Sequence, residues 1–546
     1  MKKIFILGLM VIAMTSCSDN FIEEENLGNA DAETTYKTAS GYNLLVNSNY
    51  AVLRDIYGGQ AYMFCAGTDL YAVGSGRGTE PEGLSRYSQL NPASDGGIEE
   101  LYENCYKAIQ RANTAIHFAE ITEQTPNLPQ LVGEVKYLRA NAYFVLVQSF
   151  GGVSIVNEYI QGPVLSFDRN SAEEVYEVIL SDLQDALGAV GTGNYTGRVN
   201  KRAVQHLLAK VHLTRAYETF GTAADFTTAA TYAEEAIAGQ QMTTPFKDLW
   251  FPGNEMNVET IFSVQYSPGS ISHDPANQGN KQANWYSSYL GGPEVNGAAP
   301  WRSYTLLPTE FALGLYTKED QRYEATFMVE VLWRYYKYFD GIDLPGVHPV
   351  VRHYYVPQWE TPEETAAYTL AYPGVTTHAW GTYGAGVVSA DYQTIPTKKF
   401  DDPKAAFVTG GGRADEGGPS TRDIILSRLS ETYLIAAEAY LNSNPTLGLE
   451  RLNAVRTRAG ITTPLTSYNI DVLLDERARE LFGEYHRWFD LKRTGKLVER
   501  AAAHNYLIDE ANFNGANGQL KILRPIPQAA IDLNQNKNFP QNPAYN

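Results

Sequence analysis

Helical periodicity occupies both flanks of this 546-residue chain and fails in its middle. Between residues 98 and 120, Leu101, Cys105, Ala108, Ala112 and Ile116 recur near helical spacing, which predicts one buried helix face. Residues 131–150 predict a second helix, stopped by Gly151 and Gly152. Ser171, with Glu174 three residues on, predicts a capping box that starts a third. Two more follow over 201–220 and 226–238. Helices return at Arg422: Leu429, Tyr433, Ala436 and Tyr440 share a face, 447–458 forms its partner, and Gly460 ends the pair. Leu474, Ala478, Leu481, Tyr485 and Trp488 then predict one further long helix. From 242 to 421, by contrast, Gly, Pro, Asn and aromatic residues crowd together. Loops that long are uncommon unless they are functional or disordered, and their aromatic content argues against disorder.

The helix pairs carry small and aromatic residues in the manner of degenerate tetratricopeptide repeats, which stack into a curved scaffold. The expected fold is therefore mainly α: a tetratricopeptide-like helical repeat scaffold carrying a large loop-rich region with short strands and helices. The expected division is 1–16 signal, 17–35 tether, 36–241 N-terminal helical part, 242–421 loop-rich part and 422–546 C-terminal helical part, the two helical parts packing as one scaffold.

The N-terminus speaks to location. Lys2 and Lys3 precede an apolar run from Ile4 to Thr15, and Ser16-Cys17 follows. A basic start, an apolar core and small residues before a cut site form a secretory signal, and the run is shorter than the ~20 residues that span a bilayer. Cys17 after Thr15-Ser16 looks like a bacterial lipobox, in which Cys17 is acylated and becomes the mature N-terminus. Glu23, Glu24 and Glu25 resemble the acidic tether of surface lipoproteins. The formal charge is −19, which argues against phosphate-backbone binding to nucleic acid, since that needs a basic surface. After Cys17 only Cys65 and Cys105 remain; a disulfide and two buried thiols are both open. No Cys/His cluster has zinc spacing, and no motif asks for a cofactor.

Several stretches together resemble the SusD/RagB family of outer-membrane nutrient-binding lipoproteins. They are Glu134 to Phe144 with Phe150-Gly151-Gly152-Val153, Leu429 to Tyr440, Leu452 to Gly460, Glu476 to Leu481 running on to His486 to Arg493, and Pro525-Ile526-Pro527 with Gln541-Asn542-Pro543. Ala544 stands where the family more often has Gly. The resemblance implies a lid over a SusC-like TonB-dependent transporter, anchored in the outer membrane by lipid and exposed at the cell surface. Such a lid captures oligosaccharides, or peptides in some members, without performing chemistry on them.

A sugar ring offers a C–H face to an aromatic side chain and a hydroxyl rim to polar groups, so its site is aromatic with a few placed polar residues. Two loop stretches have that composition. One runs from Gly67 to Tyr87 and holds Asp69, Tyr71 and Arg77; the other runs from Trp285 to Tyr304 and holds Trp285, Tyr289 and Trp301. By the resemblance, Tyr71, Tyr289 and Trp301 fall near the aromatic arc of the starch-binding prototype. Trp359 and Trp380 are weaker candidates, and the stretch 333–339 reads as structural. The alternative for every ring is an anchor that ties a loop to the scaffold.

Enzymatic readings find less support. Residues 74–78 are glycine-rich but lack the Lys-Ser/Thr of a phosphate loop. Glu480, Glu484 and Asp490 could be offered as glycosidase carboxylates, but they lie among Arg477, Arg479, Arg487 and Arg493. At helical spacing they predict a charged network formed with i+3 and i+4 neighbours. Asp340 and Asp343 make a weak case for calcium. Three classes therefore stand: an oligosaccharide-binding lid, a peptide-binding lid, and a surface glycoside hydrolase. The cluster of rings from Trp285 to Tyr304 favours the first.

Overall fold

The computed structural model describes residues 32–59, 61–74, 81–94, 96–267, 279–286, 305–332, 350–386, 394–402 and 420–546. Cys17, Arg77, Tyr289, Trp301, Trp333 to Phe339, Asp340 and Asp343 lie outside them.

The described chain is mainly α. Its longer helices are α1 (Ala39–Ala51), α2 (Ile98–Ala119), α3 (Leu128–Phe150), α4 (Ala172–Ala189), α5 (Lys201–Arg215), α6 (Ala223–Ile237), α7 (Pro362–Ala371), α8 (Leu429–Ala439), α9 (Pro445–Arg458), α10 (Ile470–Glu480), α11 (Arg487–Arg493) and α12 (Leu497–His504). The local rules that predict these elements operate as stated. Ser171 accepts from the Glu174 N–H while the Glu174 carboxylate takes the Ser171 N–H. Gly460 stands just past α9 with φ +89°, a left-handed position that glycine adopts without steric penalty. From Leu138 to Phe150 every residue of α3 is buried, the state of a helix covered on all sides. Its Arg139 makes paired bonds of 2.7 Å to Asp182 of α4.

Alanine-rich faces join the two helical flanks. Ala209 and Leu213 of α5, Ala229, Ala230 and Ala233 of α6, and Leu429, Ile435, Ala436 and Ala439 of α8 form one buried cluster. Small side chains let these helices approach closely, so the packing is close without long side chains to order.

The strands are short: β1 (Tyr71–Ala72), β2 (Thr260–Val264), β3 (Leu307–Pro308), β4 (Glu330–Leu332), β5 (Val351–Tyr355), β6 (Thr376–His378) and β7 (Ile424–Arg428). β2 pairs antiparallel with β7, β4 with β5, and β6 runs parallel to β5. Helix α7 links β5 to β6 and buries none of its residues. It is positioned by its Thr361–Glu364 capping box and by Tyr368, which stacks on Tyr354 at 3.8 Å.

One expectation is corrected here. The long helix predicted through 474–488 is two helices, α10 and α11, separated by Gly483 (φ +78°) and Tyr485 (φ +65°). A helix end leaves carbonyls without partners, and side chains from elsewhere take them. Arg428 donates to the Glu480 carbonyl at 2.7 Å, Lys399 to Phe482 at 2.9 Å and Gln282 to Gly483 at 3.0 Å.

Candidate functional site

β1 and β3 are two residues each, yet they decide where the aromatic loops leave the scaffold. Tyr71 pairs with Pro308 and Ala72 with Leu307. Thr309 donates to the Leu70 carbonyl at 3.0 Å, and Ala385 donates to Pro308 at 3.0 Å. Ala72, Leu307 and Ala385 are buried together beneath Leu507. Three distant segments are thus fastened at one point. From it the chain continues into 75–80, which holds Arg77, and into 387–393; it arrives there from 287–304, which holds Tyr289 and Trp301. The roots of that last segment are closed on themselves. Leu306 donates its N–H to the Trp285 carbonyl at 2.9 Å, and Tyr62 donates to the Thr305 hydroxyl at 3.3 Å. The Trp285 ring is partly exposed and meets Tyr62 edge-on at 4.9 Å. Its indole N–H has no hydrogen-bond partner among the described residues.

Other partly exposed rings stand around these roots. Tyr506 is 54% exposed and donates to the Val73 carbonyl at 2.7 Å. Phe311 stacks on His504 at 3.7 Å, with the Arg500 guanidinium 5.5 Å from its ring. The same short helix, Glu310–Gly314, backs Trp380, whose ring edge lies 3.8 Å from the position a Gly314 Cβ would take. Trp380 packs edge-on against Tyr383 at 5.8 Å. Tyr506, Phe311 and His504 lie outside the two loop stretches that composition singles out, because no local pattern in sequence marks their convergence on Val73 and Arg500.

Two predicted site residues turn inward. Asp69 and Tyr71 are 0% and 2% exposed, which leaves neither with surface to offer a ligand. Asp69 accepts from Arg487 at 2.7 Å and from Arg500 at 3.1 Å. Burial alone would raise its pKa, but the two guanidinium groups outweigh burial and hold it below the ordinary value. Tyr71 accepts from the Gly483 N–H at 2.6 Å, and its ring lies 4.9 Å from Phe482 and 5.4 Å from Tyr286. Both residues fasten the first loop to the α10–α12 region. Of the predicted rings among the described residues, Trp285 and the weaker candidate Trp380 are partly exposed near the loop roots.

Glu480, Glu484 and Asp490 do form a charged network, but most of its partners are distant rather than helical neighbours. Arg428 binds Glu480 at 2.6 Å and Glu484 at 2.7 Å; Lys399 binds Glu484 at 2.6 Å; Arg322 binds Glu480 at 2.9 Å. Asp490 takes Arg477 at 2.8 Å and its i+3 neighbour Arg493 at 2.8 Å. Burial would raise these carboxyls, and the surrounding cations hold each of them below its ordinary value. Charged carboxylates paired with buried arginines have no proton to donate as a general acid. Cys65 and Cys105 are free and buried; burial pushes the Cys65 thiol up to about 12. Among the described residues no group of three or more His, Cys, Asp or Glu is placed to hold a metal ion. Nor is any described helix long and apolar enough to cross a membrane.

Comparison with known proteins places this arrangement. Residues 258–545 match the SusD family, and residues 45–213 match a family described as starch-binding associating with outer membrane. A SusD-like protein of Bacteroides ovatus is 24% identical over 518 residues, covering 90% of this chain and 82% of that one. The starch-binding protein SusD of Bacteroides thetaiotaomicron is 32% identical over 124 residues, 22% of each chain. In fold, the chain is similar to a laminarin binding SusD-like protein, with a TM-score of 0.69, 22% identity and coverage of 93% of this chain and 100% of that one. It is also similar to surface glycan-binding protein A from Bacteroides thetaiotaomicron, solved with laminarihexaose, with a TM-score of 0.67, 19% identity and coverage of 92% and 99%. The first match alone takes in more than half of the chain, including the β7–α12 region that holds the loop roots from behind, and on that ground this protein belongs to the SusD family.

Proposed function

We propose that this protein binds oligosaccharides at the outer membrane and delivers them to a SusC-like TonB-dependent transporter, with Cys17 as its lipid anchor and no chemistry performed on the ligand. The observation that carries the reading is the common root. Arg77, Tyr289 and Trp301 sit in segments that begin or end at the β1–β3 pair, and the 287–304 segment is closed at its base by the Leu306–Trp285 bond. In this reading Tyr289 and Trp301 supply apolar faces and Arg77 donors for hydroxyl groups, adding to the partly exposed rings of Trp285, Tyr506 and Trp380. This is the chemistry a sugar ring requires. Related proteins named for starch, laminarin or surface glycan binding support the same reading. The buried, arginine-paired carboxylates of Glu480, Glu484 and Asp490 speak against a hydrolase.

The test is calorimetry of the mature chain against a panel of neutral oligosaccharides, with the Trp301→Ala and Tyr289→Ala variants. Removing one platform ring is expected to weaken binding by roughly 1–3 kcal/mol, comparable to exposing one large apolar side chain, with the thermal midpoint unchanged. Binding of peptides but of no saccharide would replace this reading with peptide capture. Purification from native outer membranes without any associated transporter would remove the delivery step.

A further inference from the structure

Glu99, Tyr102, Glu103 and Tyr106 follow one another along α2 at i, i+3, i+4 and i+7, a spacing that sets them side by side on one helix face. That face is one wall of a groove of about 500 Å³. The chain between 154 and 167 and the C-terminal stretch around the short helix Gln528–Leu533 make the other walls. The groove shares no residue with the loop roots, and its size lies in the range of binding pockets.

Bonds between the walls fix its shape. Tyr106 donates to the Ser154 carbonyl at 2.9 Å, and Gln535 donates its N–H to the Leu165 carbonyl at 2.8 Å. The Asn534 side chain accepts the Phe167 N–H at 3.1 Å and donates to the Phe167 carbonyl at 2.9 Å. A groove framed in this way has little ordering cost left for an occupant to meet. Its lining is also apolar where water reaches it. Leu533 is 80% exposed, Leu165 53% and Val164 48%. One such residue alone needs no explanation, but three around one groove form a patch, and such patches mark interaction surfaces.

The charge at the groove is one-sided. Glu99 lies in the first turn of α2, where the helix dipole already favours a carboxylate; Glu103 lies beyond that turn. Both are exposed, and neither has an ion-pair partner among the described residues. No Lys, Arg or His lines the groove. The neighbouring cations are engaged elsewhere. Lys107, one turn on from Glu103, is held by Asp55 at 2.6 Å. Arg169 gives its donors to the carbonyls of Phe150 and Gly152 and to Asn542, and Lys537 donates to the Asn534 carbonyl at 3.0 Å.

This charge selects among occupants. Residues 18–31 of the chain itself hold Asp19, Glu23, Glu24, Glu25 and Asp31 and no Lys or Arg, so the two carboxylates repel them. A second copy brings the same excess of acid, and a two-fold contact centred on the groove sets Glu99 and Glu103 against their own counterparts. We propose that the groove is a docking site for a different protein, and that its occupant is a short amphipathic segment whose apolar side chains enter beside Tyr106 and Leu533 while an adjoining Lys or Arg meets Glu103 and Glu99. Apolar anchors in a groove supply affinity in such contacts, and the charge pair sets partner choice and approach.

The experiment selects a random displayed peptide library on the mature chain and, in parallel, on Leu533→Asp. Peptides retained by the first and lost by the second are synthesised, and their affinities are read by fluorescence anisotropy at low and high salt, with oligolysine as the control for general attraction to an acidic protein. The selected peptides are expected to combine apolar residues with Lys or Arg, to bind more tightly than oligolysine and to weaken as salt rises. Glu103→Lys is expected to weaken them by on the order of tenfold. Leu533→Asp adds a negative charge, so a loss of basic peptides in that variant reports the apolar contact and not the charge. Both substitutions fall on exposed side chains, and thermal melts confirm the fold. Failure to recover any peptide that distinguishes the two proteins, selected peptides without basic residues, binding no tighter than oligolysine, or affinity undiminished in Glu103→Lys would each overturn the proposal.

Discussion

The carboxylate of Asp69 and the guanidinium of Arg487 meet in the protein interior across 418 residues of chain, 2.7 Å apart. Arg500 joins them at 3.1 Å. Removing one partner of a buried pair leaves the other charge uncompensated, at a cost of about 3–5 kcal/mol. Asp69→Asn is therefore expected to lower the urea midpoint substantially while the folded fraction keeps its ligand affinity. A loss of affinity with an unchanged midpoint would return Asp69 to the binding site.

Stability is expected to fall in two stages on acidification. Burial moves His486 down from 6.5 to about 3, against the pull of Glu431, and moves His378 down to about 4, with His353 adding to the effect. The unfolded chain binds these protons near 6.5 and the folded chain does not, so stability is lost as pH drops below about 6.5. Asp490 and Glu476, for which burial is outweighed by arginines, lie at about 2. Their contribution is present above the unfolded carboxyl range and is lost as pH falls from about 4 toward 2. Urea titrations across this range, with His486→Gln, give the check. The variant should flatten the upper stage in part, because His378 still titrates, and an unaltered upper slope would exclude His486.

Gly386 separates conformational strain from contact. Its φ is +84°, and a Cβ there would stand 2.5 Å from the Tyr506 ring. Gly374, at φ +86°, has nothing within 4 Å. Gly374→Ala should cost about 1–2 kcal/mol, the left-handed penalty alone. Gly386→Ala should cost more and should displace Tyr506, altering saccharide affinity as well as the melting temperature. Equal melting shifts, with affinity unaltered in both, would detach Tyr506 from the site.

Cys17→Ala is expected to abolish lipid labelling and to move the protein from the membrane to the soluble fraction, since the apolar run before it is shorter than a span. Fatty-acid labelling with fractionation decides it; a variant that still labels and stays membrane-bound refutes the lipobox reading.

Legibility from sequence followed the range of the interaction. The Ser171–Glu174 box, the Gly460 stop and the Leu101–Ile116 stripe of α2 are local, and residues within one or two turns specify them. Helices are expected somewhere in 242–421, but periodicity does not locate α7 although Thr361, Pro362 and Glu364 mark its start, because none of its residues is buried and no apolar stripe exists to be seen. Asp69 and Tyr71 read as ligand groups because polar and aromatic residues in a glycine-rich loop look alike whether they face solvent or distant arginines. What buries them is Arg487, Gly483 and Arg500, and no window of sequence contains both ends of such a contact. For the same reason the α10–α11 break could not be seen: Leu474 to Trp488 keeps a helical stripe, while the groups that end the helix come from 282, 399 and 428.

Those three donors also bear on the order of events during folding. The carbonyls of Glu480, Phe482 and Gly483 find their partners in Arg428, Lys399 and Gln282, and the Gly483 N–H finds Tyr71. A chain that has made only its first helices has none of these bonds, and one that lacks the stretch after 480 leaves the buried Lys399 without its Glu484 and Phe482 acceptors and Arg428 without Glu484. Such long-range closure slows folding and joins the parts into one cooperative step. Nascent chains would therefore remain protease-sensitive until the last hundred residues arrive, and an excised N-terminal half would not serve as a stand-in for the whole.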